Sequence, residues 1–211
     1  MYSSPYWDSP LLKEVVTDFY NQRYTFNTRN LKRVEEFVNY SLEVYPRASL
    51  FRFDLMFPAE WVCYTEQIMN RFFKSLNSKL LCSQAKRVKD GLRVHLTKVG
   101  YVWAKEIETG AKSHYHLAIL VNKDSYAYLG DYSIECDSLA GKIQQAWASA
   151  LGLSLEAARG LVHFPENPYY HLEAGNWDTI FPALLRLAYL TKETGKAESG
   201  RSFGTSRISR G

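Results

Sequence analysis

The stretch GLRVHLTKVGYVWAKEIETGAKSHYHLAILV, residues 91–121, decides how the chain folds. Its first part, LRVHLTKVGYVWAKEIE, is rich in β-branched and aromatic residues and reads as one or two strands. Thr109-Gly110 supplies a turn and KSHYHLAILV runs back out, so the turn chemistry predicts an antiparallel hairpin. Residues two apart on a strand share a face. Glu106 and Glu108 therefore lie together on the first arm, and His114 and His116 pass beside them on the second.

Outward from the hairpin, SLFRFDLMF (49–57) alternates, with Leu50, Arg52, Asp54 and Met56 on one side and Phe51, Phe53, Leu55 and Phe57 on the other, and Pro58 stops it. This predicts a strand with one apolar face. TRNLKRVEEFVNYSLEV (28–44) has helical spacing through Leu31, Val34, Phe37, Val38 and Leu42, and residues 59–86 have it through Trp61, Ile68, Phe72, Leu76 and Leu80. SIECDSLAGKIQQAWASALG (133–152) reads as a helix closed by Gly152. A short strand at Leu161–Phe164 precedes PENPYYHLEAGN, read as a loop, and Asn176 caps a last helix, WDTIFPALLRLAYLTKE (177–193), which tolerates the early Pro182. The tail GKAESGRSFGTSRISRG (195–211) is small, polar and basic and is expected to be only partly ordered. Helices mixed with antiparallel strands predict an α+β fold, one sheet covered by helices. With no internal repeat or linker, residues 1–211 read as a single domain with an N-terminal helical extension over about 1–45 and a basic tail over about 195–211.

Charge is unevenly spread. From Arg71 to Lys105 nine Lys/Arg face one acid, Asp90, and from Arg186 to Gly211 six face Glu193 and Glu198, on an otherwise acidic background. Two basic stretches of this kind suit a polyanion such as nucleic acid, although charge runs are often only solvated faces. Aromatics reach 15% of residues, enough to serve a core and to stack on unpaired bases. Cys63, Cys82 and Cys136 form no Cys-x-x-Cys pair, which argues against a disulfide framework and for a reducing compartment. The start, MYSSPYWDSPLLKE, lacks a signal peptide, and the most apolar run, FPALLRLAYL, is interrupted by Arg186, so no membrane span is expected and the location read from the chain is cytoplasmic.

Two imidazoles and a carboxylate, His114, His116 and Glu106, make a mixed N/O set suited to Mg²⁺ or Mn²⁺ with water positions left open. Zn²⁺ would bind as well, but a set without cysteine makes it second choice. On the last helix, Tyr189-Leu190-Thr191-Lys192 sets a phenol beside an ammonium at i, i+3, where the cation favours a phenolate and can neutralise a phosphate under attack. Taken singly these signals are weak: a His-x-His pair often finishes a polar sheet face, and a Tyr three before a Lys is common near helix ends.

Together and in this order, the pieces resemble the HUH endonucleases, the rolling-circle replication initiators, relaxases and related transposases. SLFRFDLMFP (49–58) stands where that family has its first strand motif, and KEIETGAKSHYH (105–116) is similar to its His-hydrophobe-His motif, with Glu106 eight residues before His114. YLTK (189–192) is similar to the Tyr-x-x-Lys motif. More closely, HYHLAILVNKD (114–124), AWASALGL (146–153), GLVHFPENPYYHL (160–172), YLTKET (189–194) and RSFGTSR (201–207) resemble the YagK/YfjJ family of enterobacterial prophage proteins, related to replication proteins of filamentous phages.

The resemblance implies a central antiparallel sheet of about five strands with the histidines on a central strand and the tyrosine helix opposite. It implies metal-dependent nicking and joining of single-stranded DNA at a replication origin, in which Tyr189 forms a 5′-phosphotyrosine assisted by Lys192, with His114, His116 and Glu106 holding the metal. Host helicase and polymerase are the further partners it suggests. The basic tail would set Arg201 and Arg207 against DNA phosphate. One candidate tyrosine implies a single nucleophile or a second subunit, and no GxxxxGK[ST] accompanies it, so no fused P-loop ATPase or helicase is expected. Asp54 fills the polar slot of the first motif and has no assigned role beyond a structural ion pair. A catalytically silent DNA-binding regulator or replication accessory of the same fold is the alternative. A small-molecule metallohydrolase would leave the basic stretches and the tyrosine without a use.

Overall fold

The strand Arg47–Met56 (β1) is buried on both faces. Phe51, Phe53 and Leu55 form the predicted apolar face, but Ala48 and Leu50 on the other side are also fully covered, and Arg52 is only 4% exposed. A strand enclosed on two sides needs a layer above and a layer below. The structure, a computed structural model, supplies both; it describes residues 9–59, 67–107, 113–193 and 202–206. In chain order these residues form α1 (Ser9–Phe19), α2 (Thr28–Val44), β1, α3 (Ile68–Lys89), β2 (Gly100–Ile107) and β3 (Ser113–Asn122). There follow α4 (Leu139–Leu151), β4 (Val162–His163), β5 (Tyr169–Glu173), α5 (Trp177–Ala188), a 3₁₀ turn (Tyr189–Thr191) and β6 (Phe203–Thr205).

The fold is α+β, built on one antiparallel sheet in which β1 pairs with β3, β3 with β2 and β2 with β6. β4 and β5 share the outer edge of β1, so the six strands occupy five rows. One face is covered by α3 and α4, where Phe72, Leu76, Ile143 and Trp147 meet Phe53, Leu117 and Ile119. The other is covered by α2 and α5, where Val34, Phe37, Val38, Leu184 and Leu187 meet Leu50, Ala118 and Leu120.

Several boundaries differ from the sequence reading, each for a local reason. Residues 92–99 form no strand, because Gln84 of α3 holds both the N–H and the C=O of Thr97 while Asn77 accepts from the Val99 N–H. The 133–152 helix begins only at Leu139, where the Ser138 hydroxyl accepts from the Gly141 N–H, and it closes at Gly152 with φ +72°. The segment read as a loop after Phe164 contains β5, registered residue by residue on Arg47–Phe51. α5 stops at Ala188 and tightens into the 3₁₀ turn, so Tyr189 stands at the end of the helix rather than inside it. Part of the tail is ordered, since Phe203–Thr205 pairs with Val102–Ala104. Trp61, Glu108 and the Thr109-Gly110 turn lie outside the described residues.

Candidate active site

Toward one end of the sheet, the row facing α2 and α5 changes from apolar to ionisable on three adjacent strands. On β1 it runs from Leu50 to Arg52 and Asp54, on β3 from Leu120 and Ala118 to His116 and His114, and on β2 from Val102 and Ala104 to Glu106. Antiparallel register sets Asp54 and Ala104 on either side of His116, and Glu106 opposite His114. Four charged or imidazole groups are thus brought together by pairing alone, before any side-chain rotamer is chosen.

The side chains converge. The Nε2 atoms of His114 and His116 are 3.1 Å apart, and the Glu106 Oε2 lies 2.6 Å from the His116 Nε2 and 3.9 Å from the His114 Nε2. On the other side of the ring, the His116 Nδ1 lies 2.5 Å from the Asp54 Oδ1, and that carboxylate also accepts from the Arg52 guanidinium. The Arg52 Nη2 stands 2.8 Å from the same Nδ1, but a ring protonated there offers it no acceptor, so Asp54, which takes both the Arg52 Nη1 and the His116 Nδ1, is what joins them.

Burial pushes the two carboxyl groups up, yet their partners outweigh it. The His116 hydrogen bond and the Arg52 charge hold Asp54 well below the usual carboxylate range, and the His116 and Lys192 hydrogen bonds bring Glu106 down to about 2. Burial pulls His116 down, but its bonds to Asp54 and Glu106 raise it above the ordinary imidazole value, so the ring holds a proton between two carboxylates.

The nucleophile candidate reaches this group through its lysine. The Lys192 Nζ donates to the Tyr189 Oη at 2.8 Å and to the Glu106 Oε1 at 2.7 Å, and the rings of Tyr189 and His116 are 6.2 Å apart. The phenol oxygen therefore stands two hydrogen bonds from the carboxylate that touches both histidines. Burial lowers Lys192, but these two bonds raise it above the ordinary amine value, and it remains an ammonium. An N-terminal segment holds the pair from outside. The Asn27 N–H donates to the Thr191 carbonyl and the Glu193 N–H to the Thr25 carbonyl, while the rings of Tyr20 and Tyr24 stand 6.0 and 5.5 Å from Tyr189.

Residues 13–206 match the YagK/YfjJ C-terminal domain. The chain is 37% identical to the uncharacterized protein YagK of Escherichia coli K12 over 190 residues, covering 83% of this chain and 91% of YagK. It is 30% identical over 195 residues to the uncharacterized protein YfjJ of the same strain, covering 83% of this chain and 92% of YfjJ. The chain belongs to the YagK/YfjJ family. No solved structure matches it.

In this YagK/YfjJ chain, Glu106, His114 and His116 are the described group of carboxylate and imidazole donors that could hold an ion. Their three donor atoms form a triangle with sides of 2.6, 3.1 and 3.9 Å, and the point equidistant from them is about 2 Å from each, close to the spacing of Mg²⁺ from its ligands. The residues fit a small divalent ion, with Asp54 on the far nitrogen of His116 fixing the ring as an outer carboxylate fixes a metal-ligating imidazole. The sequence reading placed all five candidates of this cluster, and the structure brings Tyr189, Lys192, Glu106, His114 and His116 together. It left Asp54 without a role, missed Arg52 and missed the 20–27 segment. Arg52 and Asp54 had left a signal, a charged pair on the histidine side of an apolar strand. Tyr20 and Tyr24 had left none, because their approach depends on the turn at Asn21 and Gln22, where φ is +49° and +57°. Arg201 and Arg207 lie outside the described residues.

Among the described residues, no helix is long and apolar enough to cross a membrane.

Proposed function

We propose that this protein nicks and rejoins single-stranded DNA through a covalent bond to Tyr189, as an initiator of rolling-circle replication of a phage or prophage element. The observation that carries the reading is the Lys192 ammonium shared between the Tyr189 oxygen and Glu106, which links a phenol to a two-histidine, one-carboxylate group. The Tyr189 Oη attacks the scissile phosphorus. The Oη–P bond forms and the P–O3′ bond breaks; the phenolic proton passes to solvent and the 3′ oxygen takes one up. Lys192 stands where negative charge gathers on the attacking oxygen. Glu106, His114 and His116 would hold Mg²⁺ or Mn²⁺, which as a Lewis acid withdraws charge from a phosphoryl oxygen. Rejoining reverses the step, with a 3′ hydroxyl attacking the phosphotyrosine. Tyr20 is the poorer candidate, since its hydroxyl is committed to the Leu185 carbonyl at 3.0 Å and burial raises its pKa.

The test uses single-stranded DNA labelled at its 3′ end, incubated with the protein and Mn²⁺ and resolved under denaturing conditions. The wild type should give a labelled protein band, and Tyr189→Phe, which removes one oxygen, should give none while keeping the fold and DNA binding. An undiminished band from Tyr189→Phe assigns the chemistry to another residue and ends the reading.

A further inference from the structure

Most of the basic stretch singled out in the sequence lies away from the site just described. Six of its nine Lys/Arg are on α3, which covers the opposite face of the sheet. Over its 22 residues, α3 carries Arg71, Lys74, Lys79, Lys86, Arg87 and Lys89 and no acid at all. At about 100° per residue, Arg71, Lys79, Lys86 and Lys89 fall along one outer ridge, with the small side chains of Ser75 and Cys82 between them. From Arg71 to Lys89 the ridge is about 27 Å long. Beyond the helix it continues into a cleft of about 380 Å³ whose lining includes Lys86, Arg87, Arg93 and His95 together with Asp90, Asp124 and Asp137. Asp137 and Asp124 are occupied by Lys142 and Arg47.

We propose that the outer ridge of α3 is a second DNA-binding surface, and that it takes the phosphate backbone of duplex DNA without regard to sequence. The choice of DNA among polyanions rests on the nicking reading; the choice of duplex rests on the ridge itself. Single strands are held by aromatic rings on which bases stack. Both aromatic residues of α3, Phe72 and Phe73, are buried in the core, so the ridge offers cations and small polar groups and nothing for an unpaired base. A duplex, whose bases already stack on one another and which carries one charge per about 1.7 Å of axis, matches that chemistry. Because the ridge and the tyrosine lie on opposite faces of the sheet, duplex flanking the cleavage site would be held while the single strand is processed on the other side.

The experiment measures binding of a fluorescent duplex of unrelated sequence by fluorescence anisotropy, in EDTA and in the Tyr189→Phe background, across a series of salt concentrations. Replacing Lys79, Lys86 and Lys89 together by Ala should flatten the slope of log K against log salt by about 3 and weaken binding roughly a hundredfold at physiological salt. The triple Lys→Arg variant should bind as the parent does, which guards against a folding artefact. The triple Ala variant should still form the covalent adduct on a short single strand, so loss of that adduct in the wild type would count against the nicking reading and not against this one. An Ala variant that keeps the parental slope and affinity, or a parent that does not bind the duplex, overturns the proposal. The ridge, with the exposed Leu81 and Val88 on its flank, would then belong to an acidic protein partner.

Discussion

His116 takes a carboxylate on each ring nitrogen, Asp54 at 2.5 Å and Glu106 at 2.6 Å. A neutral imidazole could donate to only one of them, so the two carboxylates favour the doubly protonated ring and raise its pKa above the ordinary imidazole value. Holding a metal on Glu106, His114 and His116 would need the neutral ring, so His116 would give up the proton that points at Glu106 and keep the one given to Asp54. The sign of the pH dependence follows. In the metal-free protein the raised His116 contributes stability that is fully present below the unfolded imidazole value, near 6.5, and is lost as pH rises through the higher folded value. Bound Mn²⁺ should therefore raise the melting temperature most above that folded value and least at acidic pH, where protons compete for Nε2. Thermal melts with and without Mn²⁺ from acidic to alkaline buffer test this, and an increment that is flat with pH would refute it. Asp54→Asn should weaken Mn²⁺ binding by roughly ten- to a hundredfold, the usual cost of removing an outer carboxylate.

Among the elements, those with strong periodicity were legible in advance. α2 was bounded correctly because Asn27 caps it through the Asn30 N–H and its buried stripe repeats at helical spacing. The histidine strand and its Glu106 partner were legible because a period of two fixes which residues share a face, and this made the core of the candidate site readable as well. β5 was not legible. Its alternation is brief, it follows Pro165 and Pro168, and it exists because β1 presents a long open edge on which it can register. The 20–27 segment was equally hidden, since its pairing with residues 191–193 joins parts of the chain more than 160 residues apart. That segment also bears on the proposed nucleophile. The Tyr24 ring meets Tyr189 edge-on at 5.5 Å and lies 5.6 Å from the Lys192 ammonium, a cation–π contact that steadies both groups. Tyr24→Ala should slow adduct formation roughly ten- to a hundredfold through loss of alignment, while Tyr24→Phe keeps the ring and the rate. Mn²⁺ binding, which Tyr24 does not touch, should be the same in both; a parallel loss in Tyr24→Phe would mean that the hydroxyl and not the ring is at work.

Across the whole molecule, β3 serves two cores at once. Leu117 and Ile119 face α3 and α4, Ala118 and Leu120 face α2 and α5, and all four are fully buried. The strand that carries His114 and His116 is thus held from both sides, and β1 and β2 beside it carry Asp54 and Glu106. A cluster mounted on the shared strands of two cores is positioned by the fold itself. The arrangement also predicts how the protein unfolds. Neither layer can separate while the strands between them remain paired, so loosening one core should loosen the whole. Leu117→Ala and Leu120→Ala remove buried side chains on opposite faces, and each should cost about 2–5 kcal/mol. For a chain of this length that lowers the melting temperature by roughly 4–20 °C. In urea, tryptophan fluorescence and far-ultraviolet circular dichroism should give one coincident transition for the wild type and for each variant. At low temperature, where both variants remain folded, the rate of adduct formation should stay close to that of the wild type, because Leu117 meets Arg52 through its backbone carbonyl, which the substitution keeps, and Leu120 lies further along the strand. If Leu117→Ala produced a second transition, the two layers would be separate cooperative units, and the claim that the shared strands tie the candidate site to both cores would fail.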